Sequence, residues 1–151
     1  MDKALLLAQL QEKLKAVAQQ ALRFAEDARV EAKTGAPRAV NLAAATKQRA
    51  ETALAALDAL SDFVLPGPMK KAAPIGLGSI VEIEDGEGGK TLFVAPAGAG
   101  EELTGPDGDG FLHVVTPGSP MGRALMGKRV GDVVELTLAG EYTEWEVVYA
   151  A

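Results

Sequence analysis

Cysteine is absent from this 151-residue chain, and histidine occurs once, at His113. Without thiols there is no disulfide, no thiolate nucleophile and no cysteine-ligated metal, and one imidazole cannot build a multi-histidine centre. His113 falls inside an apolar alternation and reads as a structural histidine. Aromatic side chains are also scarce, with one Trp, two Tyr and four Phe. No run approaches the roughly 20 consecutive apolar residues that cross a bilayer. Asp2 and Lys3 open a charged, periodic stretch in place of a signal peptide. These absences remove most site chemistry; the chain is expected to be cytoplasmic, with no membrane association, no metal and no cofactor, and not to be an enzyme.

What remains is 48% hydrophobic and 24% charged, the composition of one or two small soluble domains. The net charge of -6 is unevenly spread. Residues 1–65 carry nine Lys/Arg against eight Asp/Glu, whereas residues 66–151 carry six against thirteen. An acidic second half argues against a nucleic-acid-binding domain, which needs clustered cations to neutralise phosphates. A protein partner fits better.

The first half reads as helix. Leu7, Leu10, Leu14, Val17, Ala21, Phe24 and Ala28 recur at spacings of three and four, a coiled-coil seam. Breakers cluster at Thr34-Gly-Ala-Pro37, where Gly35 suits a left-handed cap and Pro37 the first turn of a new helix. A second helix is predicted from about 38 to about 63. Its seam of Val40, Ala43, Ala50, Leu54, Leu57 and Val64 is interrupted by Lys47 and Ser61, and ten of residues 36–60 are alanine. Small side chains allow two helices to approach closely, so residues 1–65 read as an antiparallel helical hairpin.

Pro66-Gly-Pro68 and Pro74 bracket a linker, residues 66–75, that cannot continue a helix. Beyond it the period changes to two. Five short strands are predicted, starting at Ile80, Thr91, Phe111, Val133 and Thr143, with turns at Asp85–Gly89, Gly105–Gly110 and Ala139-Gly140, and about one and a half helical turns from Met121 to Met126. Residues 76–151 are therefore expected to be a small α+β domain on an antiparallel sheet. Glu84-Asp-Gly-Glu87 and Asp107-Gly-Asp109 look locally like calcium loops but lack the twelve-residue spacing and terminal glutamate, and read as acidic turns.

One run is far more specific than these patterns: Ser119-Pro-Met-Gly-Arg-Ala-Leu-Met-Gly-Lys-Arg-Val-Gly-Asp132. It resembles the signature of the Gre transcript-cleavage and elongation factors, S-P-x-G-[RK]-A-L-x-G-K-x-V-G-D, with each fixed position filled. Gly78-Ser-Ile-Val-Glu-Ile is similar to that family's first C-terminal strand, and Trp145-Glu-Val-Val-Tyr to its last. The resemblance implies a coiled-coil hairpin followed by an FKBP-like domain that docks on RNA polymerase at the rim of its secondary channel. It assigns the docking contact to Ser119, Pro120, Met121, Gly122 and Arg123. Gly118 stands where family members often have Asp. Read as structure alone, Ser119 is an N-cap and Pro120 the first helical residue.

The sequence departs from the family at the hairpin tip. Cleavage factors resemble D-L-S-E-N-A-E-Y there, and two carboxylates help hold a Mg²⁺ and its water. Here Thr34 and Pro37 occupy the acidic positions, and no Asp or Glu lies between Glu31 and Glu51, while Lys33, Arg38, Lys47 and Arg49 do. The tip, Lys33, Thr34, Gly35, Pro37 and Arg38, is cationic, suited to an acidic channel or to the phosphates of nascent RNA or nucleotide. Glu26, Asp27 and Glu31 stand up to two turns back and supply the carboxylates only in a shifted register. The expectation is a non-cleaving, Gre-like elongation regulator. The alternatives are an FKBP-related prolyl isomerase or chaperone, its pocket drawn from Trp145, Tyr142, Tyr149, Phe93 and Phe111, and a coiled-coil oligomerisation module.

Overall fold

Helices α1 (Lys3–Ala32) and α2 (Pro37–Ser61) make up the first half of the computed structural model, which describes residues 2–70, 72–106, 108 and 110–151. The Asp2 carboxylate starts α1 by accepting from the backbone N–H of Ala4 at 3.0 Å and of Leu5 at 3.3 Å, satisfying donors that the first turn leaves free. Leu6, Leu10, Leu14, Ala18 and Ala28 are buried along α1, and Thr46, Ala50 and Leu60 along α2. The α2 stripe continues through half-buried Ala39, Ala43, Ala53 and Leu57.

This stripe corrects the expected seam. Val17 and Phe24 of α1 and Val40 and Leu54 of α2 are exposed, as is Val64 beyond the helix. An alanine-rich helix offers two apolar stripes about one residue apart. The uninterrupted one, running through Thr46 where the other meets Lys47, goes inside. Thr46 is tolerated there because its hydroxyl donates to the carbonyls of Leu42 at 2.9 Å and Ala43 at 3.1 Å.

The second half holds β1 (Ile80–Glu84), β2 (Gly89–Val94), β3 (Glu102–Thr104), β4 (Phe111–Val115), α3 (Pro120–Leu125), β5 (Val133–Leu138) and β6 (Glu141–Ala150). The fold is α+β, as the periodicities imply, but the sheet is mixed and has six strands in the order β3-β4-β2-β1-β6-β5. Two expectations fail here. β3 is a three-residue strand, too short to show an alternation. It also carries the chain across, so that β4 lies parallel to β2, with Leu92 opposite His113 and Val94 opposite Val115. The remaining pairs are antiparallel. Between Glu82 and Ile83 the register against β6 shifts, because Tyr149 and Val147 are their successive partners and Val148 is left over as a bulge.

One face of this sheet carries the core of Val81, Ile83, Leu92, Val94, Val134, Trp145 and Val147, closed by Ile75 and by Leu125 of α3. The turns follow their sequence signals. Asp85 accepts from the backbone N–H of Glu87 at 2.8 Å and Gly88 at 2.9 Å, which makes it a turn residue. The Gly105–Gly110 turn is closed by Gly105 N–H to Gly110 at 2.8 Å. Asp107 and Asp109, like Lys71 of the linker, lie outside the described residues. The chain divides into two compact units, Gln9–Asp62 and Met1–Ala8 with Phe63–Ala151. Within the second unit the segment after Phe63 is held in place: Ile75 is buried and exchanges backbone bonds with Gly127 and Lys128, and Arg129 Nε donates to the Ala72 carbonyl at 3.0 Å.

Candidate functional site

The Ser119–Asp132 run is a strand-to-helix turn, a single short helix and a second turn, and most of its residues have a structural task. Ser119 Oγ accepts from the backbone N–H of Thr116 at 3.0 Å and of Gly122 at 3.3 Å, and donates to the Thr116 carbonyl at 2.8 Å. It is the N-cap of α3, with Pro120 at the first helical position. Gly122 is buried where α3 crosses Thr116. A Cβ there would stand 1.8 Å from the Thr116 carbonyl oxygen, so only hydrogen fits. Downstream, Gly127 and Gly131 take positive φ of 80° and 96°. The Asp132 carboxylate accepts from Arg129 N–H at 2.8 Å, fixing the turn into β5.

Of the five expected docking residues, Ser119 and Gly122 are therefore spent on the turn itself. Met121 is partly buried against the core, and Pro120 and Arg123 face solvent. Arg123 Nη2 donates to the Gly118 carbonyl at 3.2 Å, which holds the guanidinium over the turn. Beside it opens a cleft of about 520 Å³, lined by Arg123, Ala124, Met126, Lys128, Val133 and Glu135. Sequence reading missed Lys128 and Val133. Val133 was legible as the outward partner of Val134 in the alternation of β5, and it is exposed.

At the other candidate site, the tip, α1 ends through successive tight bonds: Lys33 N–H to Val30, Thr34 N–H to Glu31 and Gly35 N–H to Ala32, at 3.3, 3.1 and 3.0 Å. Gly35 follows with φ of 77°, and Pro37 opens α2. Lys33, Thr34, Gly35, Pro37 and Arg38 are all exposed. No ion pair forms at Lys33, Arg38, Lys47 or Arg49 among the described residues. The three carboxylates behind the tip do not act together. Glu26 is gripped by Arg29 through bonds of 2.7 and 3.1 Å, which hold its carboxyl below the usual range, whereas Asp27 and Glu31 line a cavity with Phe24. Among the described residues no three His, Asp or Glu side chains are placed to share a metal ion.

The aromatic residues do not converge either. Trp145 lies in the core with Lys90 Nζ 5.3 Å from its ring centre. Phe93 sits between Leu92 and Val94 and so points to the other face. Phe111, Tyr142 and Tyr149 are exposed. An isomerase pocket built from these side chains is not formed. The described helices include none long and apolar enough to cross a membrane.

A family model described as "Transcription elongation factor, GreA/GreB, C-term" matches residues 70–150. The chain is 34% identical over 110 residues to a protein named "Transcription inhibitor protein Gfh1" from Thermus thermophilus, covering 69% of this chain and 66% of that one, just under two thirds of the relative's length. It is 34% identical over 74 residues to "Transcription elongation factor GreA" from Clostridium perfringens, covering 49% and 43%. Among solved structures, one titled "Structure of the transcription factor Gfh1" aligns over 96% of this chain and 92% of the other, with 27% identity and a TM-score of 0.42.

Proposed function

This chain belongs to the GreA/GreB transcription elongation factor family, and from that premise we propose that it regulates RNA polymerase without stimulating transcript cleavage. In this reading the α3 turn docks on the coiled coil at the rim of the secondary channel, and the hairpin of α1 and α2 enters the channel. Pro120, Arg123 and the exposed part of Met121 make the contact. Ser119 and Gly122 hold the backbone that presents them. The cleft lined by Arg123 and Lys128 offers two cations and the apolar Val133, beside the carboxylate of Glu135, to a partner helix.

The observation that carries the non-cleaving part is the chemistry of the tip. A second Mg²⁺ needs anionic oxygen ligands, and the segment from Lys33 to Ala50 offers four cations and no carboxylate. Cations at the tip would repel the metal and attract phosphate or acidic protein surface instead. The relative named as a transcription inhibitor supports a regulatory role.

The test is competition. Purified protein is titrated against core RNA polymerase carrying a labelled cleavage factor, and displacement of the label is expected. In the same complexes a backtracked transcript should remain uncleaved when this protein is added. No displacement at saturating concentration would refute docking. Cleavage lost on replacing Glu26, Asp27 or Glu31 would refute the non-cleaving assignment.

A further inference from the structure

On one flank of the hairpin the alanine seam leaves an apolar groove. Val17, Ala21 and Phe24 of α1 line it with Thr46, Arg49 and Ala53 of α2, around a volume of about 290 Å³. Towards the tip it runs into a second cavity of about 390 Å³, where Phe24 and Arg49 recur beside Asp27, Glu31 and Leu42. The large side chains here stand in water: Val17 is 45% exposed, Phe24 57% and Leu42 48%. The cause lies in the seam. Alanines draw the two helices together, and anything larger on the neighbouring positions is pushed out to the side. A contiguous apolar flank on a helix pair is one half of a four-helix core.

The charges around the groove say what the other half is. Asp27 and Glu31 rim it on α1 and Arg49 on α2. None of these three forms an ion pair among the described residues. A partner of one charge sign would satisfy one rim and oppose the other. A surface with the same two rims, turned about a two-fold axis, satisfies both.

We propose that this flank is closed by a second copy of the chain, two hairpins packing as a four-helix bundle about a two-fold axis parallel to the helices. That operator lays α1 of each copy over α2 of the other, an isologous contact in which every pairing is made twice. Phe24 of each copy fills the other's groove, and Asp27 and Glu31 of each meet the other's Arg49. The dimer itself does not depend on the polymerase reading.

Light scattering on the 151-residue chain tests it. The expected mass at high concentration is twice 15.6 kDa, falling towards 15.6 kDa on dilution. Phe24→Asp should be monomeric throughout with its helical circular dichroism retained. Arg49→Glu alone, and Asp27→Arg with Glu31→Arg, should each lose the dimer, and mixing the two variant proteins in equal amounts should restore it, since each supplies the charge the other lacks. A wild type that stays at 15.6 kDa up to its solubility limit overturns the proposal. So does a dimer that survives Phe24→Asp, or variants that mixing fails to rescue.

Discussion

At Gly122 a single methyl group separates a formed turn from a broken one. The Thr116 carbonyl stands where that methyl would go, and neither α3 nor the end of β4 can retreat without losing the Ser119 cap. Gly122→Ala should cost about 1–3 kcal/mol or more in urea unfolding, the scale of overpacking a rigid site. Arg123→Ala, which gives up one exposed bond, should leave stability within about 0.5 kcal/mol and lower affinity for polymerase in the competition assay. The Ser119 cap and Pro120 were legible in the sequence, because both are local chemistry. The role of Gly122 was not, since it depends on where another segment's carbonyl comes to rest. Tyr142 gives a second check at this scale. Its hydroxyl donates to Glu144 Oε1 at 2.6 Å, and that bond, with partial desolvation and the charge of Glu135, pushes its pKa up to about 12. The folded state holds this proton more tightly than the unfolded chain, whose tyrosine titrates near 10. The stabilisation is therefore complete below pH 10 and fades as the pH climbs to about 12. Ultraviolet titration should show one tyrosinate forming late, and Glu144→Gln should bring it earlier.

The sheet face opposite the α3 core carries carboxylates on three neighbouring strands. Glu84 is directly opposite Glu146, and Glu135 directly opposite Glu144. Like charges facing each other across a ladder oppose pairing. Glu84→Lys should turn one repulsion into an attraction and stabilise the protein by up to about 1 kcal/mol, seen as a higher melting temperature at low salt and a smaller gain at high salt. Elements with a strong period were legible: α2 falls within two residues of its expected ends, α1 stops just before the breakers at Thr34–Pro37, and five strands lie where the alternation put them. What escaped depended on partners far along the chain. Three residues at β3 carry no period, the parallel pairing of β2 with β4 follows from the path between them, and the α2 seam was ambiguous because alanine fits either of two stripes.

On the scale of the whole molecule the roles proposed for the cationic tip and for the α3 turn can be separated by mutation. Lys33→Glu with Arg38→Glu should leave displacement of a labelled cleavage factor unchanged, while the effect on RNA synthesis in a single-round transcription assay should fall. Loss of displacement as well would place the tip among the binding residues. The strand order has a consequence for how the protein is made. β6 is the last strand in the chain, yet it lies between β1 and β5 and pairs with both. Until residues 141–150 leave the ribosome, β1 has one open edge and β5 has no neighbour. α1 and α2, formed from contacts close along the chain, can be complete while the rest is still being synthesised. A nascent chain thus exposes its hairpin while its sheet is still open, and the sheet closes in one step with β6.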